Sequence, residues 1–199
     1  IREKGQNTEI IAISKNHQLF KIEEAISYGV NIFGENRVQE AESKFSKLKN
    51  INKSIKLHLT GPLQTNKVKQ ALGVFDVFHT LDREKLLREF SKHENKANEK
   101  MFFIQVNTGK ELSKSGVYPE NVEKFIKLCG DYGIKNIKGL MCIPPIDENP
   151  KKHFELINKI SKDNGLDGLS IGMSADYMQA LEFNPIYIRL GTLLFGNRA

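Results

Sequence analysis

Short apolar runs recur along the chain, and between them the periodicity changes to that of amphipathic helices. Strands are predicted at Glu9 to Ser14, Asn31 to Gly34, Lys56 to Thr60, Val77 to Thr80, Met101 to Val106, Ile137 to Cys142, Leu169 to Met173 and Ile186 to Leu190. In the intervening segments Ile22, Ala25, Ile26 and Gly29 share one helical face while Lys21, Glu23 and Glu24 point elsewhere, and Val122, Phe125, Ile126 and Cys129 repeat the pattern. This makes Cys129 a core residue rather than a reactive thiol. Gly29, Gly130, Gly133 and Gly165 fall where helices should stop and turn back. Strands alternating with helices predict a parallel sheet, and eight of them predict one (β/α)8 barrel spanning residues 1–199.

In such barrels the functional groups gather at the C-terminal ends of the strands. The unusual residues of this chain fall there. Lys15 closes the first strand, Glu35 and Asn36 the second, Gly61 and Pro62 the third, Thr80 and Asp82 the fourth. Asn107, Met141 and Ser174 close the next three, and Gly191 with Thr192 follows the eighth.

Composition narrows the class. The chain has 199 residues, enough for one sizeable core, and 27% charged with 39% hydrophobic residues is ordinary for a soluble globular protein. A net charge of +6 invites a nucleic-acid reading. The lysines are scattered over predicted outer helix faces, such as Lys21, Lys44, Lys92, Lys124 and Lys159, without aromatic sheet motifs or zinc-finger spacing. A solvated basic surface is the better account, and no nucleic-acid partner is expected. Two cysteines, Cys129 and Cys142, build neither a disulfide framework nor a metal cluster. With no signal peptide and no apolar run near the roughly 20 residues of a membrane span, a cytoplasmic protein without membrane attachment is expected. His17, His58, His79, His93 and His153 lack metal-ligand spacing, so no metal is expected, and His58 reads as a hydrogen-bonded core residue.

The candidate chemistry starts at Lys15, an amine at the end of the apolar strand Ile10-Ile11-Ala12-Ile13-Ser14. Burial disfavours its charged form, and a neutral amine is what attacks an aldehyde; taken alone, a lysine that snorkels to solvent is the simpler reading. At the other end of the chain, Gly172-Met173-Ser174 leaves the seventh strand and Gly191-Thr192 the eighth. Ser174 suits a helix cap, and loops after strands seven and eight commonly hold a phosphate on unpaired N–H groups. Arg189 shares a strand face with Tyr187 and Gly191. A guanidinium inside a barrel needs a partner, either a carboxylate such as Glu35 or the nitrogen of a bound pyridine ring.

These strings resemble one known family, the pyridoxal phosphate homeostasis proteins, which share the barrel of the alanine racemase N-terminal domain. Ile11-Ala12-Ile13-Ser14-Lys15 looks like the family's cofactor-lysine strand, Phe33-Gly34-Glu35-Asn36 with Val38-Gln39-Glu40 like its second-strand motif, and His58-Leu59-Thr60-Gly61-Pro62-Leu63-Gln64-Thr65-Asn66-Lys67 like its third-strand signature. Ser113-Lys114-Ser115-Gly116, Gly139-Leu140-Met141-Cys142-Ile143-Pro144, Leu169-Ser170-Ile171-Gly172-Met173-Ser174 and Arg189-Leu190-Gly191-Thr192 complete the series. The resemblance implies pyridoxal 5'-phosphate (PLP) as cofactor, held as a Schiff base on Lys15. It implies Ser174, Gly191 and Thr192 as phosphate ligands, Arg189 at the pyridine nitrogen and Asn36 beside the ring, with Met173 among the cofactor-binding residues. The family usually carries a further helical stretch before the first strand, and here little precedes Glu9; the chain opens on Ile1, and that lead helix is expected to be short or missing.

An arginine at the ring nitrogen opposes its protonation and so weakens ring-driven chemistry. Racemases with this barrel also use arginine, but a second domain supplies them with a tyrosine base. Here Tyr28, Tyr118 and Tyr132 fall on helix or loop segments, and Tyr187 reads as core packing. The expectation is therefore a non-catalytic, monomeric PLP-binding protein of PLP homeostasis, with PLP-dependent apoenzymes as its possible partners and no catalytic residue assigned. The alternatives are a PLP-dependent amino-acid racemase, a Schiff-base aldolase acting through Lys15, and a basic nucleic-acid-binding module. The Lys114 loop between Ser113 and Gly116 fits a flap near the mouth as well as a solvated turn.

Overall fold

In the computed structural model, which describes residues 7–196, eight strands run parallel in chain order around a closed barrel. They are β1 (Glu9–Ile13), β2 (Ile32–Glu35), β3 (Lys56–Leu59), β4 (Val77–Leu81), β5 (Met101–Val106), β6 (Ile137–Cys142), β7 (Gly168–Met173) and β8 (Tyr187–Leu190). Each predicted strand is present with its ends displaced by no more than one residue. The barrel closes where β1 pairs with β8, Ile11 lying opposite Arg189. Most of the short lead-in before β1 lies outside the described residues.

Helices cover the outside: α1 (Leu19–Ser27), α2 (Val38–Ile51), α3 (Val68–Val74), α4 (Glu84–Ser91), α5 (Glu94–Asn98), α6 (Val122–Asp131), α7 (Pro150–Asp163), α8 (Tyr177–Ala180) and α9 (Thr192–Phe195). Outward strand residues such as Phe33, Leu57, Phe78 and Phe102 meet Ile22, Phe45, Phe90 and Ile157 of the helices in one continuous apolar layer. Removing each such side chain from water contributes roughly 2 kcal/mol. Val122, Phe125 and Cys129 are buried on one face of α6, as the periodicity predicts. Gly29, Gly133 and Gly165 take positive φ of 88°, 76° and 65° in the turns after α1, α6 and α7. Gly130 does not stop a helix: it lies within α6, and the chain turns at Gly133 instead.

The barrel interior is filled separately, by Ile11, Val77, Phe103, Met141 and Tyr187, with Ile13 and Ile143 above them. His58 and His79 are buried among these side chains and hydrogen-bond to each other at 2.9 Å, while His79 stacks on Phe103. Strand alternation then carries the inward series Ile11, Ile13 up to Lys15, and the series Tyr187, Arg189 up to Gly191. Gly34 permits this packing, because a Cβ there would lie 2.5 Å from Ile13 Cδ1 and 2.8 Å from Ile11 Cγ2. Among the described residues no helix is long and apolar enough to cross a membrane, and no group of three or more His, Cys, Asp or Glu side chains is placed to hold a metal ion.

Candidate functional site

A cavity of about 300 Å³ opens at the C-terminal mouth of the barrel. Lys15, Asn36, Met173, Ser174, Arg189, Gly191 and Thr192 all line it. The fold thus brings together every cofactor-binding residue expected from the sequence. The wall also includes Ile13, His17, Thr60, Ile143 and Ala175, which were not assigned from sequence. Thr60 and Ile143 follow the same strand-end rule as the others and could have been found by it.

Lys15 sits in a turn that is fixed on both sides. Before it, Ser14 donates through Oγ to Glu35 Oε1 at 2.7 Å, and its carbonyl accepts from Lys44 Nζ at 3.0 Å. After it, Asn16 adopts a left-handed φ of 62° and its N–H donates to Glu40 Oε1 at 2.7 Å. Lys44 ties these contacts together, lying 2.6 Å from Glu40 and 3.2 Å from Glu35. Burial raises the Glu35 carboxyl above its usual range, an effect that Ser14 and Lys44 oppose. His17 completes the turn, its N–H reaching the Ser14 carbonyl and its ring lying 5.0 Å from that of Phe195.

Arg189 is buried, and its guanidinium donates to the Ser170 carbonyl at 2.6 Å, Ser170 Oγ at 2.9 Å and the Cys142 carbonyl at 2.9 Å. None of these partners is a carboxylate. Glu35, the carboxylate considered as its partner, faces Ser14 and Lys44 instead and does not line the cavity, because β2 turns it toward α2. Three hydrogen bonds leave part of the five-donor fork for whatever occupies the cavity. Burial lowers the Arg189 pKa from its ordinary value, which nearby Cys142 and Asp176 oppose.

The side of the cavity where a phosphate is expected is built from two turns. Gly172 takes a φ of 89°, and a Cβ there would meet Ala180 Cβ at 2.7 Å, so this position accepts only glycine without distortion. Ser174 does not cap the following helix as predicted. The N-cap of α8 is Asp176, whose carboxylate folds back to accept from the Met173 N–H at 2.6 Å. The Ser174 hydroxyl is therefore left on the cavity wall and not spent on a cap. In the second turn the N–H groups of Leu194 and Phe195 return to the Gly191 carbonyl at 2.9 Å, leaving those of Thr192 and Leu193 outside the turn's own bonding. Asn36 is oriented by Thr60, whose Oγ1 donates to Asn36 Oδ1 at 3.0 Å.

Other strand-end residues serve the scaffold. Asn107 ties down the following loop through Glu111 and Lys114, Asp82 pairs with Arg83 at 2.6 Å, and Met141 is buried below the cavity. The Lys114 loop borders a neighbouring concavity at the mouth. Tyr187 packs edge-on against His58 in the barrel floor, where burial pushes its hydroxyl up to about 12. Cys129 and Cys142 are buried, and burial pushes both thiols up to about 12.

The whole chain, residues 1–199, matches the model of the alanine racemase N-terminal domain. It is 37% identical to the pyridoxal phosphate homeostasis protein of Aquifex aeolicus, over 98% of this chain and 90% of that one. It is 32% identical to the protein of the same name from Schizosaccharomyces pombe, over 98% of this chain and 86% of the other. Among solved structures, PipY of Synechococcus elongatus with PLP bound superposes with a TM-score of 0.81 at 30% identity, covering 96% of this chain and 93% of its own. Alanine racemase of Acinetobacter baumannii superposes with a TM-score of 0.76 at 17% identity, covering 98% of this chain but 58% of the racemase, a likeness of fold alone.

Proposed function

The chain belongs to the alanine racemase N-terminal domain family and, within it, to the pyridoxal phosphate homeostasis proteins; from that premise we propose that it binds PLP at Lys15 and serves PLP homeostasis without strong catalytic activity of its own. The observation that carries this reading is the convergence of Lys15, Asn36, Arg189, Ser174, Gly191 and Thr192 on one cavity. A volume of about 300 Å³ lies at the lower end of the range of small-molecule sites and suits a ring with one phosphate arm.

When bound, PLP supplies an aldehyde that condenses reversibly with an amine and a ring that withdraws electrons best when its nitrogen is protonated. Lys15 offers the amine, and the Ser14, Glu35, Glu40 and Lys44 contacts hold its backbone in place. Ser174, Thr192 and the N–H groups of their turns would hold the phosphate, and Asn36 would orient the ring. Arg189 would meet the ring nitrogen as a fixed donor; being cationic, it would oppose a proton there and so favour holding the cofactor over using it. Among the described residues no tyrosine lines the cavity, which gives a racemase no base of the usual kind. Stored cofactor is then available to PLP-dependent apoenzymes.

The test is a comparison of PLP with pyridoxal, which lacks the phosphate, by absorbance titration of the purified protein. Saturable binding of PLP and at least about a hundredfold weaker binding of pyridoxal support the reading, since a phosphate held by several charge-assisted hydrogen bonds contributes several kcal/mol. Equal binding of the two overturns it.

A further inference from the structure

Beside the cofactor cavity, the loops after β2, β3, β4 and β5 enclose a second concavity of about 780 Å³, and Asn36 belongs to both walls. It is lined by Arg37, Lys67, Arg83 and Lys114 against a single carboxylate, Asp82. Two of these cations are matched locally: Arg83 by Asp82 at 2.6 Å, and Lys114 by Glu111 at 2.7 Å. The side chains of Arg37 and Lys67 make no hydrogen bond or ion pair among the described residues, although Arg37 is near enough to act on the charge of Glu40.

Two arginines stand at helix starts on this concavity, each followed by a carboxylate in the first turn, Glu40 in α2 and Glu84 in α4. Arg37 is the N-cap of the 14-residue α2 and Arg83 the N-cap of the 8-residue α4, and neither helix start has a side-chain cap. N-caps ordinarily carry Ser, Thr, Asp or Asn, whose oxygens accept from the first N–H groups. A helix start is also the positive end of the backbone dipole, where a cation costs stability and an anion adds it. The uncapped start of α2 and the cationic side chains of Arg37 and Lys67 open on one concavity, where together they favour an anion. A concavity of this size takes a small molecule, within the usual range for ligand sites.

We infer that this concavity is a second ligand subsite, which binds a small molecule bearing phosphate or carboxylate groups through Arg37, Lys67 and the first N–H groups of α2. The inference rests on the proposed function only for its position beside the cofactor; the contacts to the anion do not require PLP.

Pyrophosphate and citrate are the probes, titrated calorimetrically at constant ionic strength into protein saturated with PLP, so that the phosphate turns of the first cavity are already filled. One saturable site is expected, weakened about tenfold in Arg37→Gln and again in Lys67→Gln, the effect of losing one charge-assisted hydrogen bond each. Lys127→Gln, an exposed cation on α6, should leave it unchanged. No saturable binding, or equal binding by the parent and both variants, overturns the inference. If the parent takes up no PLP, it is the proposed function that fails, and the same titration of cofactor-free protein still reads the subsite.

Discussion

The Lys44 ammonium donates a 3.0 Å hydrogen bond to the carbonyl of Ser14, the residue immediately before Lys15. Lys44 belongs to α2, yet through this bond and its pairs with Glu35 and Glu40 it fixes the backbone from which the proposed cofactor lysine projects. Glu35 is buried, and its second carboxylate oxygen has no hydrogen bond among the described residues. That carboxylate therefore depends heavily on Lys44.

Lys44→Met should destabilise the protein by roughly 3 kcal/mol, because a buried carboxylate loses its counter-ion. Adding Glu35→Gln should restore part of the loss, read from the denaturant midpoints of the single and double variants. A double variant as unstable as the sum of the singles would show that the pair is not coupled.

Arg189→Gln tests the role of the guanidinium. It should weaken PLP binding about tenfold, as expected for the loss of a charged hydrogen bond. It should also raise the rate at which the PLP-loaded protein exchanges the α-proton of added amino acids in D2O, followed by NMR. An unchanged exchange rate would contradict the view that Arg189 restrains the ring.

Thr192→Val and Ser174→Ala each remove one hydroxyl from the cavity wall. Each should weaken PLP by about fivefold, near 1 kcal/mol, while leaving pyridoxal binding unaltered. An equal loss for both ligands would place the hydroxyls away from the phosphate.

The buried His58–His79 pair predicts acid sensitivity. Burial lowers His58 to about 3, and burial with the nearby charges of His58 and Arg189 holds His79 well below its usual value. As the pH falls below about 6.5 the unfolded chain takes up protons that the folded barrel refuses. Stability contributed by the neutral pair is complete above that pH and is lost progressively below it. Denaturant melts at pH 6.5 and pH 5 should differ by about 2 kcal/mol per histidine. No difference would mean that the pair charges in place.

Much of this site was legible in the sequence because it follows from strand periodicity. Once the eight strands are counted, Lys15, Asn36, Ser174, Gly191 and Thr192 must share one mouth, and Arg189 must point inward. What was not legible depends on partners distant in the chain. Ser174 has the chemistry of a cap, but Asp176 is two residues closer to α8 and closes the turn itself. Glu35 and Arg189 are both inward candidates on paper, yet Lys44, nine residues beyond Glu35, reaches it across one face of α2. Gly130 carries the same stop signal as Gly133, but the helix runs through Gly130, and the chain turns at Gly133 with the Ile134 N–H returning to the Cys129 carbonyl and both side chains in the core.

The most direct measurement is borohydride reduction of the PLP-loaded protein followed by peptide mass mapping. A visible absorption band, the phosphopyridoxyl mass on the peptide containing Lys15, and loss of both in Lys15→Ala are the predicted result. No band, or label spread over surface lysines with Lys15 unmodified, would contradict the assignment of this cavity to PLP.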